Sequence, residues 1–499
     1  MSTRRSNAGA DEEMGHSQSA AASTHTAGPS TSEQQEQEHE QPTMFETLAA
    51  DIGISGYKKV WHRIKGKGRS IGWLESLKAA ALSSWLNVLL VLVPLSWAAH
   101  FAKWSHNAQF VLSFFAIMPL EKLFDWGGEQ LALFCGEDLG DLIIVTLNNA
   151  VEATLAIILL VKCELKLLQS TIAGVALLHL LLIPGTSFLV GGARVLEQTL
   201  HPHRSQLNHT LLTIGILALV IPAGFFAAID RGAPTPEAGA VPDNAINDTI
   251  RMDFLRMGRG FAVILLAVYI LSRFYLHDPP GEGNAFQPHR DAPAEVLEKE
   301  RELEEAEPET NPLACVLVMC VTVALMGVTA EFLVDSIEHV REEGNISEEW
   351  FGLILLPILS WSADGAVTVV FFLRTSLRGF WHDNPETPTT IAEARAIELS
   401  IQFLLFWMPF LVLLAWWIGK PMTVLFDLFE VTVLIGSCFL VNYVTADAKT
   451  NWAEGSIMIS FYVMIALSAW YYPGQPEINI MSACGSVLEA LATGGGAEE

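Results

Sequence analysis

The sequence predicts an all-α membrane protein of about eleven transmembrane helices, one leading helix plus two inverted five-helix repeats joined by an acidic linker. Three observations lead there. Of the 499 residues, 51% are hydrophobic and only 17% charged, and the mean hydropathy is +0.36, a balance foreign to an ordinary soluble enzyme. The apolar residues fall in runs close to the ~20 residues that a bilayer requires. Once the first run is set aside, an odd number remains on each side of a Glu-rich stretch, and odd halves must insert with opposite orientation.

Residues 1–50, rich in Ser, Ala, Gln, Glu and Thr without periodicity, read as a disordered tail. Their polar opening holds no cleavable signal peptide, which leaves targeting to the first span. Residues 51–79 form a basic juxtamembrane segment with Lys58, Lys59, Arg63, Lys65, Lys67, Arg69 and Lys78, and the positive-inside rule puts that end in the cytosol. The first transmembrane half, 80–276, holds spans at 80–102, 108–124, 139–161, 168–191, 211–229 and 261–276. Residues 277–311 break the pattern with Pro279, Pro280 and Gly281 before the run from Glu295 to Glu309, read as a solvated cytosolic spacer in preference to a cation sensor. The second half, 312–473, has spans at 313–337, 351–373, 396–418, 428–445 and 455–472, and the 474–499 tail falls in the lumen.

The net charge of -26 lies mostly in the tail and linker, which argues against nucleic acid as a partner. Cys135, Cys163, Cys315, Cys320, Cys438 and Cys484 show neither CxxC pairing nor zinc spacing and read as packing residues. No GxxxxGK[ST] phosphate loop occurs, so an enzyme reading has no support.

The stretch Leu147-Asn148-Asn149-Ala150-Val151-Glu152 sets two amides and a carboxylate inside the apolar span 139–161. An ionisable group at membrane depth costs at least a few kcal/mol, and normally faces a bundle interior with a task to perform. Asn149 and Glu152, three apart, share one helical face. Both offer the oxygen that hard cations such as Ca2+ take, and Glu152 can also carry a proton, so one group serves two competing ligands. A helix–helix hydrogen-bond cluster without transport is the alternative for this motif alone. The inverted plan demands a counterpart, and Pro357 to Gly365 supplies one, with Asp364 in mid-span at the matching place in its half.

Further motifs follow in order: Asn-Val-Leu-Leu-Val-Leu-Val-Pro at Asn87 to Pro94, Asn-Ala-Val-Glu at Asn149 to Glu152, Glu-Phe-Leu-Val-Asp-Ser-Ile-Glu at Glu331 to Glu338, Gly-Leu-Ile-Leu-Leu-Pro-Ile at Gly352 to Ile358, Ile-Gly-Lys-Pro-Met-Thr at Ile418 to Thr423, and Leu-Val-Asn-Tyr at Leu440 to Tyr443. From about Ser84 to Pro473 the chain resembles the calcium/proton exchanger family, the vacuolar cation/proton antiporters of the calcium/cation antiporter superfamily. The resemblance implies that the family's Gly-Asn-Ala-x-Glu signature falls on residues 148–152, with Asn148 for the leading Gly. It carries Asn149 and Glu152 over as cation ligands, Glu129 and Glu331 as acids flanking the path, and Gln169 and Gln402 as the glutamines of the following spans.

The second signature departs from the family at Ser360-Trp361-Ser362-Ala363-Asp364-Gly365. Only the acid survives, one methylene shorter as Asp364, and the Trp361 indole can only donate. The Ser360 and Ser362 hydroxyls are left to fill the gap. Ile144 and His179 stand where the family has Asn, and Asp141 is an added charge.

The implied site is Asn149, Glu152, Asp364, Ser362, Glu129, Glu331, Gln169 and Gln402, with no catalytic residue and no cofactor beyond the transported Ca2+ and protons. Mn2+ or a monovalent ion is the alternative cargo. Helix breaks beside Asn148 and Pro357 would add backbone carbonyls as ligands. The expected partner is membrane lipid, homo-oligomerisation is left open, and the expected location is a vacuolar or other acidic organelle membrane. The competing reading is an exchanger-fold protein with altered selectivity, or without Ca2+ transport, that acts as a regulator.

Overall fold

The computed structural model describes residues 71–135, 137–192, 197–200, 202–230, 247–277, 308–363, 365–366, 370 and 395–492, all within one compact unit, Lys58–Glu499. The expected tail, most of the basic segment and nearly all of the linker lie outside the described residues.

The first expected span is not one straight helix. Helix α1 (Trp73–Leu82) and a 3-10 turn (Trp85–Val91) that continues into α2 (Leu92–Phe101) meet at 97°. The Asn87 carboxamide donates to the Ala80 carbonyl at 3.0 Å and to Ser83 Oγ at 3.1 Å, which ties the elbow at the point where Ser83 and Ser84 interrupt the apolar run. The long α3 (His106–Cys135) follows, then α4 (Glu137–Asn148) and α5 (Ala150–Lys162).

Next come α6 (Leu165–Leu177), a π-turn (Leu178–Leu182) and α7 (Ile183–Gly192), which together make one continuous span, then α8 (Pro202–Asp230) and α9 (Asp248–His277). The second half opens with α10 (Pro312–Gly344) and a short α11 (Glu348–Trp350) that runs through a π-turn (Phe351–Leu355) into helical residues 356–363. It continues with α12 (Arg395–Gln402), a π-turn (Phe403–Trp407) and α13 (Met408–Trp417), then α14 (Leu428–Val444) and α15 (Trp452–Trp470). Among the described residues, 6 helices are long and apolar enough to cross a membrane unaided, or 7 with the bent pair counted as one. A two-stranded antiparallel pairing, β1 (Gln198–Thr199) with β2 (Lys449–Thr450), registers Gln198 against Thr450.

Each π-turn has one cause. Proline lacks an N–H and its ring crowds the carbonyl four residues back. In all three, the residue just before a proline donates five residues back instead: Ile183 to Leu178, Leu356 to Phe351, Met408 to Phe403, ahead of Pro184, Pro357 and Pro409. The widened turn keeps the helix running past proline. The break expected at Pro357 therefore does not occur.

Helix α6 is the axis of the bundle, since every residue from Leu165 to Leu177 is buried. It meets the second half through small residues, because a Cβ on Gly352 would lie 2.7 Å from Ser170 Cβ and one on Gly174 would lie 2.7 Å from Pro357 Cγ. Close backbone approach of this kind is how helices pack where lipid offers no hydrophobic drive.

The carboxyl-terminal segment, expected as a tail, folds back as α16 (Pro476–Ser482) and α17 (Val487–Ala492), with Ile478 and Met481 each 1% exposed. A disulfide joins Cys163 to Cys484 across 321 residues. This corrects the packing reading of those two cysteines, whose proximity depends on that fold-back.

Candidate functional site

Within the expected span 139–161 the helix does break, at Asn149 itself, whose φ of -97° and ψ of 12° separate α4 from α5. Its carboxamide is fully buried and reaches across to the second half. Nδ2 donates to Gln402 Oε1 at 2.7 Å and to the Leu399 carbonyl at 3.4 Å. That orientation leaves Asn149 Oδ1 buried without a hydrogen-bond partner, a state that costs about 1–3 kcal/mol in a finished protein.

Glu152, 5% exposed, lies in the first turn of α5, where the helix dipole favours negative charge. Gln402, fully buried on α12, donates through Nε2 to Thr146 Oγ1 at 3.1 Å and to the Tyr269 hydroxyl at 2.9 Å. An amide oxygen and a carboxylate three residues apart are thus buried together at a helix break in the bundle interior. Such a pair can ligate a hard cation, and the carboxylate can take a proton in its absence.

The remaining expected ligands divide. Asp364 and the side chain of Asp141 lie outside the described residues. Ser362 is half-buried and its hydroxyl donates to the Leu359 carbonyl at 2.7 Å, as Ser360 does to Pro357 at 2.9 Å; the oxygens keep acceptor capacity. Gln169 is turned to other partners: Nε2 donates to the Thr423 and Leu425 carbonyls at 3.0 Å while Oε1 accepts from Ser482 at 3.0 Å. Those bonds tie α6 to the loop before α14 and to the folded-back segment. Glu129 and Glu331, expected to flank the cation path, are exposed on α3 and α10. His179 sits in the first π-turn, 3% exposed, with Nδ1 2.9 Å from the Val175 carbonyl.

A family model described as sodium/calcium exchanger protein matches residues 105–276 and 314–471, the two halves that carry this site. The chain belongs to that family. It is 33% identical to a vacuolar calcium ion transporter of Cryptococcus neoformans var. grubii, over 83% of this chain and 78% of that one. It is 30% identical to the vacuolar calcium ion transporter of Schizosaccharomyces pombe, over 79% and 87%. A Ca(2+)/H(+) antiporter of Synechocystis is 28% identical over 77% of this chain and 97% of its own. Among solved structures, native YfkE superposes with a TM-score of 0.58 at 20% identity, covering 78% of this chain and all of its own (100%), which establishes a shared exchanger fold.

Within this exchanger, the departures in the second signature are coupled. The Trp361 ring lies against Gly365, where an added Cβ would sit 2.9 Å from ring atom Cζ3. An indole at 361 thus leaves no room for a side chain at 365.

One cluster escaped sequence reasoning. Lys166 on α6 lies 3.7 Å from Asp427 and 3.5 Å from Glu430, with exposures of 6%, 0% and 0%. Ser170 donates to Glu430, Tyr472 to Asp427 Oδ1 at 2.7 Å and the Gln475 N–H to Asp427 Oδ2 at 3.0 Å. Asp427 and Glu430 also form the capping box that starts α14. The Asp-x-x-Glu spacing before an apolar run is a legible cap signal, but nothing local pairs it with Lys166.

Proposed function

We propose that this chain is a secondary antiporter that exchanges cytosolic Ca2+, or a related cation such as Mn2+, for lumenal protons across a vacuolar or other acidic organelle membrane. The observation that carries the reading is the buried Asn149 oxygen without a hydrogen-bond partner, beside Glu152 at a break in a span. The names of the fungal and cyanobacterial relatives support cargo and membrane.

The mechanism is competition. A cation entering the bundle meets Asn149 Oδ1 and the Glu152 carboxylate, and Asp364, matched to Glu152 by its place in the second half, supplies the opposing charge. When the cation leaves, the acids take up protons in its place, so the neutral site returns with protons instead of metal. Rocking of one half against the other opens the site to alternate sides, driven by the proton gradient. About eleven crossings, with the linker cytosolic and the carboxyl end lumenal, complete the proposed topology. Apolar side chains exposed on α9, such as Val263, Ile264, Ile270 and Leu271, are its lipid-facing surface.

The test is Ca2+ uptake into proton-loaded vesicles containing the purified full chain. Uptake that collapses with the pH gradient is expected, and no gradient-dependent uptake of Ca2+ or Mn2+ would overturn the reading. The second reading, a regulator of exchanger fold without Ca2+ transport, is favoured by Trp361 packed on Gly365, and it predicts the absence of uptake in that assay.

A further inference from the structure

We propose that Tyr269 is a positioning residue for the cation site, its hydroxyl acting through Gln402 to hold Asn149 Oδ1 toward the cargo; this rests on the antiport reading above. The relay begins at a group with no choice. The Leu399 carbonyl can only accept, so the Asn149 amide nitrogen faces α12. Its stronger bond goes to Gln402 Oε1 at 2.7 Å, which turns Gln402 Nε2 away, toward Thr146 Oγ1 and the Tyr269 hydroxyl at 3.1 and 2.9 Å.

Both Gln402 amide protons therefore end on hydroxyl oxygens. Were Gln402 reversed, two NH2 groups would face each other and Asn149 would have to turn its oxygen inward, away from a cation. Tyr269 is well held for this task. It is 4% exposed, its ring packs 5.5 Å from that of Phe406, and the Arg273 guanidinium, one turn along α9, covers the ring at 4.9 Å. Helix α9 contributes none of the signature residues, yet by accepting from Gln402 this hydroxyl supports the Asn149 orientation that the Leu399 carbonyl selects.

The decisive variant is Tyr269→Phe, which keeps the ring, its packing and the Arg273 guanidinium over its face and removes one oxygen, which faces Arg273 as well as Gln402. Full-length parent and variant are compared for Ca2+ uptake into proton-loaded vesicles and for direct Ca2+ binding in titrations of purified protein. The apparent KM and the Kd for Ca2+ rise ~3- to 10-fold, the effect of one lost hydrogen bond, while Vmax per folded protein stays within about twofold.

Thr146→Val alone has a smaller effect because Tyr269 still orients Gln402. Combined with Tyr269→Phe it raises KM by more than the product of the two single effects, since neither anchor then remains. An unchanged KM in Tyr269→Phe, a purely multiplicative double variant, or a fall in Vmax at constant KM each overturns the proposal. A parent that neither transports nor binds Ca2+ overturns the antiport reading and this inference together. A parent that does both, with Tyr269→Phe indistinguishable from it, overturns this inference alone.

Discussion

Two buried polar clusters join the halves of this exchanger, and they are built to opposite rules. Around Asn149, Thr146, Tyr269 and Gln402 the amide N–H groups of Asn149 and Gln402 are placed, but the Asn149 amide oxygen is left over three residues from a buried carboxylate. Around Lys166 the ammonium faces two carboxylates, and a hydroxyl, a phenol and backbone N–H groups supply further donors. None of the side-chain atoms of Lys166, Asp427 or Glu430 is left buried without a hydrogen-bond partner. Burial and polarity alone do not distinguish a ligand site from a clasp. Buried amide oxygens without a partner also occur at Asn87, Gln198, Asn442 and Asn479, so what sets the first cluster apart is such an oxygen at a helix break with a buried carboxylate three residues on.

The largest expected effect separates the clusters by activity. Glu152→Gln keeps size and hydrogen bonding but removes the charge and the titratable proton, so proton-coupled Ca2+ uptake falls to background while thermal stability holds or rises, as expected when a buried charge is neutralised. Uptake at the parent rate with the parent pH dependence would show that the carboxylate mechanism is wrong. Lys166→Met should do the reverse. It strands Asp427 and Glu430 without their cation, and breaking a buried pair costs ~3–5 kcal/mol, read as a large drop in the melting temperature of purified protein. A variant that melts with the parent would mean that the cluster is not a clasp.

The second signature gives an intermediate effect. Gly365→His alone drives a side chain into the Trp361 ring and loses ~1–3 kcal/mol to overpacking, whereas the triple change Trp361→Asn, Asp364→Glu, Gly365→His relieves the clash and adds second-half oxygens. Uptake at low Ca2+ rises in the triple variant at equal expression; equal uptake would place the limit elsewhere.

The smallest effect concerns pH at the edge of the clasp, at Glu349 of α11, which is 3% exposed and whose charge acts on Lys166. Burial, more than any neighbouring charge, pushes the Glu349 carboxyl above its ordinary value of 4.5. The folded protein thus holds this proton more firmly than the unfolded chain. The resulting stabilisation is complete below about pH 4.5 and is lost as pH rises through the higher folded value. Melting temperature should therefore rise modestly on acidification, and Glu349→Gln should flatten that slope.

Local composition carried much of this protein's architecture. Hydropathy is a sum over neighbours in the chain, so the apolar runs marked helices that the structure contains, and an amide and an acid three apart in one run marked Asn149 and Glu152. Gln169 and Gln402 show where such reasoning ends. Both are buried glutamines in a span after a signature stretch, yet one binds the carbonyls of a loop and the other reaches the candidate site. Their neighbours in sequence do not tell them apart.

Only the tertiary structure decided that Asn149 meets a partner 253 residues away, that Lys166 meets Glu430 across 264, that Tyr269 lies behind Gln402, and that Cys163 meets Cys484. The physical reason is that each of these contacts depends on the rotational phase and crossing of helices packed by close approach at Gly174 and Gly352. A linear pattern records which face of a helix is apolar, but not which helix will lie against it.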